Sequence, residues 1–370
     1  MSGKTLVIIP TVRNPGVIRD YADNALANRI DLDSLFFLIL TEDFVDKKTY
    51  SSILEEVDAD GEVMDQKDRE SLLSELHLSE FAEVFPKRSH AETSFGLLYL
   101  QTRASEFEFG LLIDDDTKPV SEFDFFNTHI TNLSYQGRAL CLSSDKRWVN
   151  VLHHSLAKGH LYPRGYPYSA MGEKIKKENL GIEKVVASQG LWTNVPDLDS
   201  VRILMDGDLN GQARTRLSIK DYGESFTVAK NNYLTVCSMN LAFRKEVVPC
   251  FYQFKMDDNP WRIGRFDDIW SGVVLKKVSD SFGWSVLNGA PLCEHNKAPR
   301  STFKDLMSEA PGLEANERFY LEVDKASIPD GDIFIKTERI ANTLAETSDD
   351  FISYNGKFLL KWVDLIRKVS

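Results

Sequence analysis

Residues Phe109–Val120 read FGLLIDDDTKPV, an unbroken apolar run that ends in three carboxylates. A continuous apolar run of this length suits a strand covered on both faces, as in a parallel sheet. Three like charges at its end raise one another's proton affinity unless a cation, hydrogen-bond donors or water hold them apart. The run therefore points to an α/β sheet, and its end to a binding site.

Similar runs recur at Thr5–Pro10 (TLVIIP), Leu35–Leu40 (LFFLIL) and Ala139–Ser144 (ALCLSS). Between the first two, Val17, Ile18, Tyr21, Ala25, Leu26 and Ile30 recur at helical spacing, so a β-α-β unit opens the chain. Open sheets of this kind bind ligands at the carboxyl ends of their strands, where Thr11, Arg13, Asp43 and Asp114–Asp116 fall. The turn PTVRNPG lacks both GxGxxG and GxxxxGK[ST], which removes support for a dinucleotide fold or a P-loop.

With 42% hydrophobic and 27% charged residues, the 370-residue chain has the composition of a folded globular protein. A net charge of -12 argues against non-specific binding to nucleic acid or anionic membrane, so an anionic ligand needs a local basic pocket. The four cysteines show no CxxC spacing, and neither a disulfide nor a zinc site is expected. The first apolar run is too short for a signal-peptide core or a membrane span, and the cytosol is the expected compartment. Residues 44–92 read as an acidic helical insertion. Residues 301–370 read as a helical extension, with Phe358, Leu359, Trp362, Leu365 and Ile366 on one face, packed on the main body or at a subunit interface.

Alternation along an extended strand would send Asp114 and Asp116 to one side and Asp115 to the other. Two aligned carboxylates make a hard-oxygen site suited to Mg²⁺ or Mn²⁺, which could hold a diphosphate; a helix cap or solvated turn is the plainer alternative. Asp267 and Asp268 precede a helical pattern, so they either cap that helix or face the sugar end of a bound substrate. In CEHNKAPR, His295 could complete a metal shell and Lys297 could contact phosphate. Arg164, within YPRGYPYS, either stacks on Tyr162 or Tyr166 or contacts a diphosphate or sugar.

Taken in order, VIIPTVRN, IDDD, RGYPYS, ASQGLWTNVPDLD, CSMNLAF, GRFDDIWSG and EHNKA resemble the reversibly glycosylated polypeptide family, over Val7 to Ala298. Plant members of that family are UDP-arabinopyranose mutases. The resemblance implies a GT-A-type nucleotide-sugar-binding fold over residues 1–300, a mostly parallel central sheet flanked by helices, with a divalent cation, Mn²⁺ or Mg²⁺. It puts the acidic metal and nucleotide-sugar motif on Asp114, Asp115 and Asp116, the reversibly glycosylated arginine on Arg164, the second acidic motif on Asp267 and Asp268, and the late histidine on His295. Thr11 and Arg13 would approach the nucleotide, while Trp192, Asn194 and Asn240 would shape the sugar pocket.

The implied activity is a UDP-sugar mutase, an isomerase interconverting pyranose and furanose forms. The alternatives are a glycosyltransferase with a separate acceptor and a non-catalytic nucleotide-sugar-binding partner. A homo-oligomer or a complex with a paralogue is left open.

Overall fold

The protein is described over residues 3–159 and 161–370 by a computed structural model. The N-terminal half of its sheet is built from β1 (Lys4–Pro10), β2 (Leu35–Leu40), β3 (Gly61–Met64) and β4 (Phe107–Ile113). These lie in the order β3-β2-β1-β4, all parallel. Helix α1 (Gly16–Ala27) connects β1 to β2, so the opening unit is the β-α-β read from the sequence. Nearly every side chain of β1, β2 and β4 is buried, as strands covered on both faces require.

Residues 44–92 are not wholly helical. They hold α2 (Lys47–Glu56) and α3 (Gln66–Glu75), but β3 between them extends the sheet beside β2. Gly61 permits that pairing, because a Cβ there would stand 2.5 Å from the Phe37 carbonyl oxygen. Helix α4 (Thr93–Thr102) then leads into β4.

Beyond β4 come β5 (Thr117–Pro119), α5 (Phe125–Leu133), β6 (Gly137–Ser144), β7 (Trp148–Val149), β8 (Ile175–Ile182), β9 (Val185–Asn194) and α6 (Ser200–Asp206). They are followed by β10 (Phe226–Val228), β11 (Tyr233–Leu234), β12 (Asn240–Arg244), α7 (Asp267–Phe282) and β13 (Ser285–His295). The large sheet continues β4-β12-β9-β13-β10-β6-β8. The expected mostly parallel sheet is therefore mixed. Its β9-β13 and β6-β10 pairs are parallel, whereas β12 runs antiparallel to both β4 and β9, β13 antiparallel to β10, and β6 to β8. A parallel neighbour needs a crossover of a dozen or more residues, and β12 enters between β4 and β9 in the reverse sense.

The chain closes with α8 (Thr302–Lys325), α9 (Ile333–Ala345) and α10 (Asp350–Val369). The apolar stripe of α10 is buried within this same chain. Trp362 donates from Nε1 to the Val248 carbonyl at 3.1 Å and stacks on Tyr252 at 5.4 Å. Each such buried side chain contributes on the order of 1.5–3 kcal/mol, so α10 is part of the core rather than an appendage. All four cysteines are free and buried, and no helix among the described residues is long and apolar enough to cross a membrane.

Candidate nucleotide-sugar site

The carboxyl ends of β1 and β4 lie side by side, with Ile8 opposite Leu112. This register brings the Thr11–Arg13 turn against the acidic triplet. Asp115 accepts from Thr11 Oγ1 at 2.9 Å and from Arg13 Nε and Nη2 at 3.2 and 2.9 Å. Burial pushes the Asp115 carboxyl up, against the pull of Arg13.

The triplet lies not on the strand but in a turn that follows Ile113, where the Thr117 amide donates to the Asp114 carbonyl at 3.2 Å. Simple strand alternation therefore does not apply, and each carboxylate takes its own direction. Asp116 Oδ2 lies 3.5 Å from Arg13 Nη2, and its Oδ1 lies 3.8 Å from His295 Nε2. His295 arrives because β13 pairs with β5, putting His295 opposite Thr117, and its Nδ1 is 2.7 Å from the Val195 carbonyl.

Asp114 faces His90, whose Nε2 is 2.9 Å from Asp114 Oδ1 and whose Nδ1 is 2.7 Å from Asp267 Oδ2. Burial opposes the imidazolium, but the two carboxylates outweigh it and hold the ring well above its ordinary pKa of 6.5. Its side chain is one-third exposed, so part of that attraction is screened.

Asp267 and Asp268 open α7, where Asp268 accepts from the Ile269 amide of that helix at 2.9 Å and from the Ser238 amide, outside it, at 3.1 Å. The two neighbours are driven in opposite directions. Burial works against the Asp267 charge, yet His90 and then Arg164 pull that carboxyl below its usual range. Burial pushes Asp268 up, against Arg164 and with Asp267 adding to the rise. Adjacent carboxyls separated in this way can divide acid and base roles.

Arg164 is locked from several sides. Its Nε and Nη2 each lie 3.0 Å from Asp197 Oδ2, Nη1 donates to the Arg265 carbonyl, and Nη1 stands 3.5 Å from Asp268 Oδ1. Burial would lower its pKa, but Asp197 and Asp268 raise it well above its ordinary value. Gly165 follows at φ +83°, where a Cβ would meet Ile269 at 2.5 Å, so α7 can close on this turn only over a glycine. The arginine lying over the Tyr162 ring is Arg202, at 5.0 Å, rather than Arg164.

These groups line one cavity of about 420 Å³, which Thr11, Arg13, Asp114–Asp116, Arg164, Asp267, Asp268, His295 and Lys297 share. Lys297 is buried to 7% exposure, its Nζ has no hydrogen-bond partner among the described residues, and burial lowers its pKa against the pull of Asp197. A buried, unpaired ammonium in a cavity wall is suited to receive an anion.

Four expected residues lie outside the lining. Asp43 is exposed; its neighbour Glu42 turns inward instead, accepting from the Arg88 amide at 2.8 Å. Trp192 is 1% exposed in the core. Asn240 is fully buried in a network with His129, 2.8 Å from its Nε2, and the Pro291 carbonyl. Asn194, at φ 65°, donates to Asn296 at 3.0 Å.

Sequence reasoning missed Glu42, His90, Glu92, Asp197, Arg265 and Arg300, all of which line the cavity. Asp197 and Arg265 stood inside quoted motifs, so proximity to them was a usable signal. His90 sits in the stretch read as an acidic helical insertion and carried none. Arg265 Nη1 meets Asp305 at 2.9 Å and its Nε meets Glu309 at 2.5 Å, while Arg300 Nε meets Asp305 at 2.8 Å. Helix α8 thus fixes one wall of the cavity.

Asp114, Asp116 and His295 are hard-oxygen and imidazole donors appropriate to Mg²⁺ or Mn²⁺. Among the described residues, no three His, Cys, Asp or Glu side chains are gathered as a finished cage. That is compatible with a cation held by one or two carboxylates that takes its remaining oxygens from a diphosphate and water.

UDP-arabinopyranose mutase 3 of Arabidopsis thaliana is 31% identical over 202 residues, covering 54% of this chain and 50% of the relative. UDP-arabinopyranose mutase 1 of Oryza sativa subsp. japonica is 30% identical over 226 residues, covering 61% and 57%. The chain thus spans about half to three fifths of the length of these curated relatives. Among solved structures, glucosyl-3-phosphoglycerate synthase from Mycobacterium tuberculosis with Mg²⁺ and UDP is 12% identical. It covers 89% of this chain and 81% of its own, with a TM-score of 0.39, a likeness too loose to carry an argument. The reversibly glycosylated polypeptide model matches residues 36–369, running past Ala298 through all three C-terminal helices, and this chain belongs to the reversibly glycosylated polypeptide family.

Proposed function

We propose that this chain is a divalent-cation-dependent isomerase of GT-A type that interconverts the pyranose and furanose forms of a UDP-sugar, with UDP-L-arabinopyranose and UDP-L-arabinofuranose as the pair. The observation that carries the reading is the convergence, in one cavity, of the acidic triplet with the buried Arg164, Asp197 and Asp268 cluster. The names of the plant relatives supply the sugar.

In this reading Thr11 and Arg13 border the nucleotide, and Lys297 meets the diphosphate with its unpaired Nζ. Asp114, Asp116 and His295 would hold Mn²⁺ or Mg²⁺, which supplies positive charge where the departing diphosphate gathers negative charge. As the anomeric C–O bond to UDP breaks, a different sugar hydroxyl closes on the anomeric carbon, the bond from that carbon to the former ring oxygen breaks, and UDP returns to the same carbon. Asp267, held ionised, takes the proton of the attacking hydroxyl and returns it to the released ring oxygen, and Asp268 orients the attacking hydroxyl.

Arg164 is assigned a non-covalent role. Attack by its nitrogen on the sugar would require the guanidinium to lose a proton against two buried carboxylates. Self-glycosylation at Arg164 is tested with a radiolabelled UDP-sugar: label that disappears in Arg164→Ala, with folding intact, would reverse this assignment.

The deciding experiment incubates the protein with UDP-arabinopyranose and Mn²⁺ and separates the two ring forms chromatographically. Conversion that vanishes in Asp116→Asn is the expected result. UDP release that rises only when an acceptor is added would replace the mutase with a glycosyltransferase, and UDP binding without turnover would leave a non-catalytic binding partner.

A further inference from the structure

Helix α8 buries one face and leaves the other open. Thr302, Asp305, Glu309, Gly312 and Phe319 turn toward the body of the protein, whereas Phe303, Met307, Ala310 and Pro311 turn outward. Helix α6 lies beside it. The Ser200 amide donates to Glu309 at 2.7 Å, and the Leu209 carbonyl accepts from the Thr302 amide at 3.1 Å. The two helices therefore run in opposite directions, which brings Met205 and Leu209 alongside Phe303 and Met307. These four side chains are between 56% and 79% exposed. Single exposed apolar residues are ordinary, but a gathered group of large ones marks a surface that another body covers.

Size and charge select the occupant. At 1.5 Å per residue the 24-residue α8 is about 36 Å long, and with α6 beside its first half it offers roughly 500 Å². That is the larger part of the about 800 Å² that each partner gives to a stable complex. The apolar stretch is bounded at one end by Lys304 and at the other by Glu314, both exposed, with Arg318 of the next turn 3.1 Å from Glu314. Laid against itself in the antiparallel sense about Met307 and Ala310, α8 brings Lys304 of each copy alongside Glu314 of the other. The order of charges is thus complementary to itself, as a two-fold contact requires. The net charge of -12 disfavours an anionic membrane as the alternative.

We infer that the outer face of α8, with Met205 and Leu209, is a two-fold interface between two copies of this chain, the two α8 helices packing antiparallel. The inner face of the same helix carries Asp305 and Glu309, which hold Arg265 and Arg300 at the cavity wall. A second copy therefore braces that wall from behind. The inference is independent of the isomerase reading.

The test is sedimentation equilibrium of the full chain over a dilution series, with neither nucleotide nor metal added. The wild type is expected to show a reversible two-copy mass. Met307→Glu weakens association about a hundredfold, because a two-fold contact loses each side chain twice. Lys304→Glu and Glu314→Lys each weaken it about tenfold by setting like charges against each other. An equal mixture of these two variants regains wild-type affinity, because each then meets its opposite charge. All three positions are exposed, and circular dichroism with melting temperature establishes that each variant is folded.

A single-copy mass for the wild type at every concentration would overturn the inference. A two-copy mass that survives Met307→Glu would move the interface elsewhere and overturn it too. A mixture that associates no better than its components would remove the antiparallel pairing. A wild type that stays single in solution but sediments with vesicles of phosphatidylcholine and phosphatidylserine would give the face to lipid instead. Each of these results leaves the cavity and its proposed chemistry untouched.

Discussion

Replacing Arg164 by Met would leave Asp197 and Asp268 facing each other across a cavity wall without their shared counter-charge. The side chains of Arg164, Asp197 and Asp268 are only 11%, 8% and 4% exposed, so water cannot take over the arginine's role. Removing one member of a buried ion pair costs about 3–5 kcal/mol. At about 2.1 cal/mol/K of unfolding entropy per residue, a chain of 370 residues loses roughly 4–6 °C of melting temperature. The loss depends on pH. Without the guanidinium, burial pushes both carboxyls up, so they take up protons as pH falls and the penalty shrinks. In the wild type, Arg164 and Lys297 overcome burial and hold Asp197 well below the usual carboxylate range. Its contribution is therefore complete above the ordinary value of 3.8 and is lost only in more acidic solution. Urea unfolding of Arg164→Met, Asp197→Leu and the double variant completes a cycle, with an expected coupling of about 2 kcal/mol or more. A single variant that loses under about 1 kcal/mol, or a coupling near zero, would refute the claim that this cluster is a buried charge network.

Glu92 shares Arg69 with Glu42, at 3.1 and 3.9 Å, and burial, opposed by Arg69 and aided by Glu42, raises its pKa to about 8. Between its ordinary value of 4.5 and about 8 the folded state holds a proton that the unfolded state has lost. Its share of stability therefore falls as pH rises through that window, by up to about 1.4 kcal/mol per pH unit. Glu92→Gln lacks this slope in urea unfolding at about pH 5 and about pH 8. Lys297→Met weakens UDP binding at least about tenfold by calorimetry, the worth of one charge-assisted contact. Its melting temperature serves as the check on folding, because Lys297 also favours the ionised Asp197. Gly165→Ala forces a Cβ to within 2.5 Å of Ile269 at φ +83° and costs about 1–3 kcal/mol in denaturant unfolding. It also displaces Arg164, so UDP binding weakens in parallel.

The alternation of apolar strand and helix was legible in the first forty residues, because each run there is local and buried on both faces. The mixed half of the sheet was not. Strand β12 finds β4 and β9 through pairings such as Leu241 with Leu112, more than a hundred residues away, which no local period encodes. The triplet announced a site by its charge, whereas its partner His90 came from residues read as an acidic helical insertion and meets Asp267 across a separation of 177 positions. At the end of β2, one position of register decided between Asp43 and Glu42, and the ties of Glu42 to the Arg88 amide and Arg69 settled it. Trp192 and Asn240 carry side chains typical of sugar pockets, yet burial within the sheet took both into the core.

The grip of α8 on Arg265 and Arg300 bears on how the protein comes off the ribosome. The acidic triplet, Arg164 and β13 all emerge before Asp305 and Glu309 do. Until those two carboxylates follow, the arginines of the cavity wall lack the partners that hold them in the finished fold. Chains grow at about 5–20 residues per second, so a nascent sheet waits with a half-formed pocket until α8 has left the exit tunnel and docked. Ligand binding by the growing chain should accordingly appear as a late step, set by synthesis of the C-terminal helices rather than by formation of the sheet.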